Sequence, residues 1–147
     1  MPDESWVGRS LEPSEPYQVS REKIREFAIA VGEHSRICHE VAAARAAGHP
    51  DVVAPPTFAA TITMPLMESF LRDPAFGWDY SRMVHGDQSI VLHRPIRGGD
   101  ELVTVVHVDD LTTRAGSHML TLRCEIADVD GAAVATTKAM LVTQAAS

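Results

Sequence analysis

The sequence predicts an α+β domain in which a curved antiparallel sheet wraps one long apolar helix. Three observations predict it. The first half carries helical spacing with capping residues, a long apolar segment begins at Thr57, and four β-like segments joined by short turns follow from Gly86. A sheet curved around the apolar segment is the natural way to remove it from water.

Residues 1–18 read as an extended, loosely structured lead-in, because Pro13 and Pro16 interrupt any helix. The run SREKIREFAIAVG then opens with Ser20 as N-cap. Ile24, Phe27, Ala28 and Val31 recur at helical spacing, and Gly32 suits the stop. HEVAAARAAG is a second, short helix ending at Gly48, and HPDVVAPP is a loop.

From Thr57, TFAATITMPLMESFLRD forms the apolar helix. Pro56 fits its first turn, where a missing N–H has no intrahelical partner anyway. Apolar side chains occupy nearly every face, so burial on all sides is expected, and Pro65 predicts a kink or break. After DPAFGWDY come the segments GDQSIVLHRPI, DELVTVVHVDDLTT, GSHMLTLRCEIADVDG and AAVATTKAMLVTQA, separated by RGGD, RAG and DG. In the third, Leu120, Leu122, Cys124 and Ile126 share one face while Thr121, Arg123 and Glu125 share the other. Asp130-Gly131 is a hairpin turn signal. No internal repeat interrupts the chain, and one domain over 1–147 is expected.

Composition narrows the function. A net charge of −7 lacks the basic face that phosphate backbones require, and the scarce aromatics form no stacking platform, so nucleic acid is excluded as a partner. No apolar run is long enough to span a bilayer. The polar, proline-broken N-terminus has no apolar leader core, and Cys38 and Cys124 lie far apart, so a reducing cytoplasmic setting with two free thiols is expected. His34 and Cys38 have helical spacing, but no further ligands complete a tetrahedral metal set, and no cofactor is called for.

Two stretches, AARAAGHPDVVAPPTFAATI and VHGDQSIVLHRPIRGGDEL, resemble the MaoC-like branch of the hot-dog superfamily. The likeness covers roughly residues 18 to 144. It is closest to the N-terminal-type domain of (R)-specific enoyl hydratases and 3-hydroxyacyl-thioester dehydratases. The resemblance implies a hot-dog fold, a dimer, and an acyl thioester of coenzyme A or acyl carrier protein with its chain in a tunnel at the unit interface. It marks Pro56, Thr57, Phe58 and Ile62, together with His85 and Gln88, as substrate-binding. Because Pro55 and Pro56 lack an N–H, the donors for the thioester oxygen fall to Thr57 and Phe58. His85 also reads as a turn cap, Ile62, Met64 and Met67 as core or tunnel wall, and Arg94 and Arg97 as a solvated loop or as contacts for a coenzyme A phosphate.

Catalytic members carry an aspartate followed five residues later by a histidine. Counted back from Gly48, those positions hold Glu33 and Cys38 here. Glu33 keeps the charge with one more methylene, whereas an unperturbed thiol is mostly protonated at neutral pH. His39 lies one residue beyond, an offset of about 100° on a helix. The local Ser35-Arg36 replaces the family's asparagine–proline step.

Three readings follow. The favoured one is a non-catalytic subunit that binds acyl thioester beside a separate MaoC-like catalytic chain. The second is a self-sufficient homodimeric hydratase using Glu33 and His39 as its catalytic residues. The third is a dimer that binds acyl thioesters or another apolar ligand without turnover. A monomer is disfavoured by the exposed strand edges of such a sheet.

Overall fold

The caps that the sequence announces are formed. The Ser20 hydroxyl accepts the Lys23 N–H at 3.1 Å, and Gly32 ends the helix in the left-handed conformation at φ 75°. The computed structural model describes residues 2–144. Along it run β1 (Tyr17–Gln18), α1 (Arg21–Val31), α2 (Val41–Ala46), α3 (Ala59–Leu71), β2 (Val84–Leu92), β3 (Glu101–Arg114), β4 (Ser117–Asp128) and β5 (Ala133–Gln144). A 3-10 turn, Pro56–Phe58, leads directly into α3.

All strand pairs are antiparallel, in the order β1-β3-β4-β5-β2. Alternation along the strands turns one set of side chains toward α3. Leu120, Leu122, Cys124 and Ile126 are buried, as their spacing predicts, and burial pushes the Cys124 thiol up to about 11. The opposite face carries a polar chain in which Arg123 bonds Asp109 and Glu125, and Thr136 donates to Glu125.

Two packed clusters hold α3 in the sheet. Phe58, Ala59 and Ile62 meet Ile24, Leu102 and Ile126 around its first half. Met67, Phe70 and Leu71 meet Val106, Leu120 and Leu141 around its second. Burying each large side chain stabilises the fold by roughly 1.5–3 kcal/mol.

Three expectations need correction. Helix α3 is not buried on all sides: Met64, Pro65, Glu68 and Ser69 are exposed along one face, because the five-stranded sheet wraps only partway round. Nor does Pro65 break it. The helix continues through this proline, whose ring lies on the open face; the cost is the hydrogen bond that the Thr61 carbonyl would otherwise receive. The lead-in, finally, is extended but not loose. Gly8 and Leu11 donate to the carbonyls of Val108 and Val106, Ser14 donates to Thr104, and Trp6 stacks edge-on against Phe76. These bonds satisfy the outer edge of β3 between Thr104 and Val108. No helix among the described residues is long and apolar enough to cross a membrane.

Candidate active site

The end of α1, the turn before α2 and the start of α3 converge on one pocket. The Gly32 stop redirects the chain, and the Glu33 N–H closes it by donating to the Ala28 carbonyl at 2.8 Å. The loop before α3 is pinned on two sides: Val53 donates to Ile37 at 3.0 Å and Ala54 to Ile96 at 2.8 Å. Asp51 anchors its beginning, accepting Arg21 in a bidentate pair at 2.8 and 2.9 Å. That guanidinium, helped by the Val52 N–H, holds the Asp51 carboxyl below the usual carboxylate range despite opposing desolvation.

The resulting pocket has a volume of about 290 Å³ and includes Glu33, Ser35, Ile37, Cys38, Pro55 and Pro56 in its walls, closed on the sheet side by Leu92 and Pro95. Glu33 and Cys38, the two positions reached by counting back from Gly48, therefore share one cavity at the start of α3. One Glu33 carboxylate oxygen accepts the Ser35 N–H at 2.8 Å. The Cys38 thiol is buried, and burial first, then the charge of Glu33, pushes it above its ordinary range. It stays protonated at neutral pH.

His39 does not join them. It is absent from the pocket wall, its Nε2 lies 2.8 Å from the Glu33 carbonyl oxygen, and its own carbonyl accepts Arg25. Its ring ties two backbone segments together.

The donor end of α3 differs from expectation at Phe58. That residue's N–H donates to the Pro55 carbonyl at 2.9 Å, and its ring is fully buried edge-on to Phe27. The 3-10 turn consumes this donor; the Thr57 N–H has no protein partner, and Thr57 is exposed just outside the pocket wall. Pro56 lines the pocket; Ile62 belongs to the core and to a separate groove on the lead-in side of α3. His85 is exposed on β2. Gln88, on the strand face shared by Ile90 and Leu92, is half-buried, with an Nε2 that has no protein partner. Arg94 and Arg97 both converge on Asp100, at 2.9 and 3.9 Å, which offsets one of their two charges. Among the described residues, no cluster of His, Cys, Asp or Glu is arranged to hold a metal ion.

Sequence reasoning missed the wall formed by Ile37, Leu92 and Pro95, whose contributions come from three separate segments. It also missed Thr104, which carried a readable signal. Leu102, Val106 and Val108 occupy the inward positions of β3, and Thr104 is the polar residue among them.

Comparison with known proteins agrees with this architecture. A model of the FAS1-like, dehydratase domain region matches residues 5–137. A UPF0336 protein of Saccharopolyspora erythraea is 51% identical over 140 residues, covering 95% of this chain and 90% of that protein. The C-terminally truncated HadBC (3R-hydroxyacyl-ACP dehydratase) complex of Mycobacterium tuberculosis contains a chain that matches with a TM-score of 0.85 and 27% identity, covering 93% of this chain and 96% of that one. A MaoC-like dehydratase matches with a TM-score of 0.88 and 32% identity over 97% of this chain; that match takes in 43% of the larger protein, so this chain spans less than half its length. The curled sheet around one helix is the hot-dog arrangement of these structures.

Proposed function

The chain belongs to the FAS1-like dehydratase-region family of MaoC-like hot-dog proteins, and from that premise we propose that it is the acyl-thioester-binding subunit of a 3-hydroxyacyl-thioester dehydratase or enoyl-thioester hydratase. A MaoC-like partner chain supplies the acid–base pair. One observation carries this reading: the pocket at the start of α3 holds a carboxylate and a protonated thiol where a carboxylate and an imidazole would be needed, and the neighbouring imidazole is engaged outside it.

The chemistry explains the division of labour. Hydration places a water oxygen on C3 of a trans-2-enoyl thioester and a proton on C2; dehydration reverses both. In each direction negative charge develops on the thioester oxygen, which backbone N–H groups at a helix start stabilise. This chain retains such a donor in Thr57. It lacks a histidine in the pocket wall, the residue whose ordinary pKa near neutrality makes it effective in proton transfer.

The partner's seat is the free edge of β2. That strand pairs with β5 on one side only, and Val84 and Val91 along it are 60% and 54% exposed. Unpaired backbone beside exposed valines is a surface that another strand covers favourably. The proposed setting is the cytoplasm, where Cys38 and Cys124 remain free thiols.

The test is hydration of crotonyl-coenzyme A by the purified chain, alone and with a MaoC-like catalytic chain. Turnover only in the mixture is the expected result. Turnover by the chain alone, lost in Glu33→Gln, would overturn the division of labour and make Glu33 a catalytic residue of this chain.

A further inference from the structure

The outward row of β2 is Asp87, Ser89 and Val91, and His93 continues the alternation just past the strand; all four are exposed. A carboxylate stands at one end of this row and an imidazole at the other. Asp87 makes no salt bridge among the described residues. His93 is held at the rim: its Nε2 lies 3.0 Å from the Thr136 hydroxyl, which itself donates to Glu125. A polar group fixed before contact costs less entropy when it is used.

The backbone of the same edge is arranged to match. The His93 N–H donates to the Val134 carbonyl of β5 at 2.8 Å, so by alternation Gln88, Ile90 and Leu92 turn their N–H and C=O groups to the unpaired side. Two features bound this ladder. A bulge interrupts the strand between His85 and Asp87, and Pro95 has no N–H to donate. Ile90 lies midway between His85 and Pro95. An identical strand laid antiparallel about a two-fold axis at Ile90 uses everything between those bounds. Gln88 then meets Leu92, Ser89 meets Val91, and Asp87 meets His93, each contact made twice. An axis at Ser89 or Val91 would instead set Asp87 against Val91 or Pro95 and lose the match of acid with base.

We infer that a second copy of this chain pairs at the free edge of β2 in this register, with Asp87 of each copy against His93 of the other. Self-pairing occupies the seat proposed above for the catalytic chain. It rests on that reading, and it makes the unassembled chain a reserve that the catalytic chain must displace. One short ladder falls at the weak end of interface sizes, so the chain is single in dilute solution and pairs near about 0.1 mM.

Sedimentation velocity of the whole chain from about 5 µM to about 0.5 mM tests it. The unmodified chain is expected to pass from one copy to two, with no larger species. Asp87→Lys and His93→Glu should each weaken pairing about tenfold, because each removes an acid–base contact on both sides of the axis. An equimolar mixture of the two variants should pair again. The new lysine of one copy then faces the new glutamate of the other, and the unaltered Asp87 and His93 face each other across the second contact. Register has its own readout, free of charge changes: oxidation should crosslink Ser89→Cys to Val91→Cys in a mixture, and neither variant to itself. A chain that stays single throughout, pairing indifferent to both charge substitutions, a mixture no better than its components, or the absence of that crosslink would each overturn the register. Adding a MaoC-like catalytic chain should turn pairs into one-to-one complexes; a species holding two copies of this chain and the catalytic chain would overturn the competition. The two readings fail separately. A chain that never pairs but supports partner-dependent crotonyl turnover would sink self-pairing and keep the function, whereas charge-dependent pairing with no turnover in any mixture would do the reverse.

Discussion

The imidazole Nε2 of His39 lies 2.8 Å from the backbone carbonyl oxygen of Glu33, so the histidine nearest the expected catalytic position donates a structural hydrogen bond. His39→Ala should therefore cost about 1 kcal/mol of stability, visible in urea unfolding. The kcat/KM of the reconstituted enzyme should be retained. A large fall in kcat with unchanged stability would show instead that the ring takes part in proton transfer.

Glu33 and Cys38 share the pocket, and this predicts a gain of function. Cys38→His, combined with Glu33→Asp, places an imidazole and a shorter carboxylate in the same cavity of about 290 Å³. Crotonyl-coenzyme A hydration by the double variant alone is the expected outcome, with a rate that rises as the imidazole loses its proton near neutral pH. A folded double variant with no turnover would show that the pocket has lost more than its base.

Gly98 is held in close quarters by the ion pair that anchors the α3 loop. A Cβ there would lie 2.5 Å from an Asp51 carboxylate oxygen and 3.1 Å from the Arg21 Cγ. Gly98→Ala must displace Asp51, at a cost of roughly 1–3 kcal/mol. Chemical denaturation measures it; a neutral result would mean that the loop before Val52 yields easily.

The same carboxylate gives stability a pH dependence of known sign. Asp51 has its folded pKa depressed, chiefly by the Arg21 hydrogen bonds. Its contribution is complete above the unfolded carboxylate value of about 3.9 and disappears as pH falls through the lower folded value. The difference in melting midpoint between the unmodified chain and Asp51→Asn should be constant from neutral pH to about pH 5 and shrink below about pH 4. A difference that persists unchanged in acid would assign the effect to packing.

Val91 tests the partner's seat. Its side chain is 54% exposed on the free edge strand, so Val91→Lys should leave the melting of the isolated chain nearly unchanged. Sedimentation of the mixture with a catalytic chain should show a weakened complex. An unaltered complex would place the interface elsewhere.

Elements set by neighbours in sequence were legible. Ser20 and Gly32 cap α1 through contacts within four residues, and alternation around Leu120–Ile126 fixed the inward face of β4. The count that placed Glu33 and Cys38 came from the family resemblance and not from any local pattern, and the two residues line one pocket. Features set by distant contacts were not legible. Ser14 finds Thr104 across ninety residues, a match that no local pattern encodes. The open side of α3 depends on how far the sheet curls, and Met64 is as apolar as the buried Met67. The orientation of His39 depends on where the chain turns after Gly32, and the engagement of Phe58 depends on the turn being 3-10.

The bonds from Gly8, Leu11 and Ser14 to β3 also bear on self-association. A sheet with two bare margins can add neighbours at both and grow without limit, the geometry of a filament. Here residues 8–14 occupy β3 between Thr104 and Val108, which shortens the bare strand on that margin and leaves β2 as the longer unpaired edge.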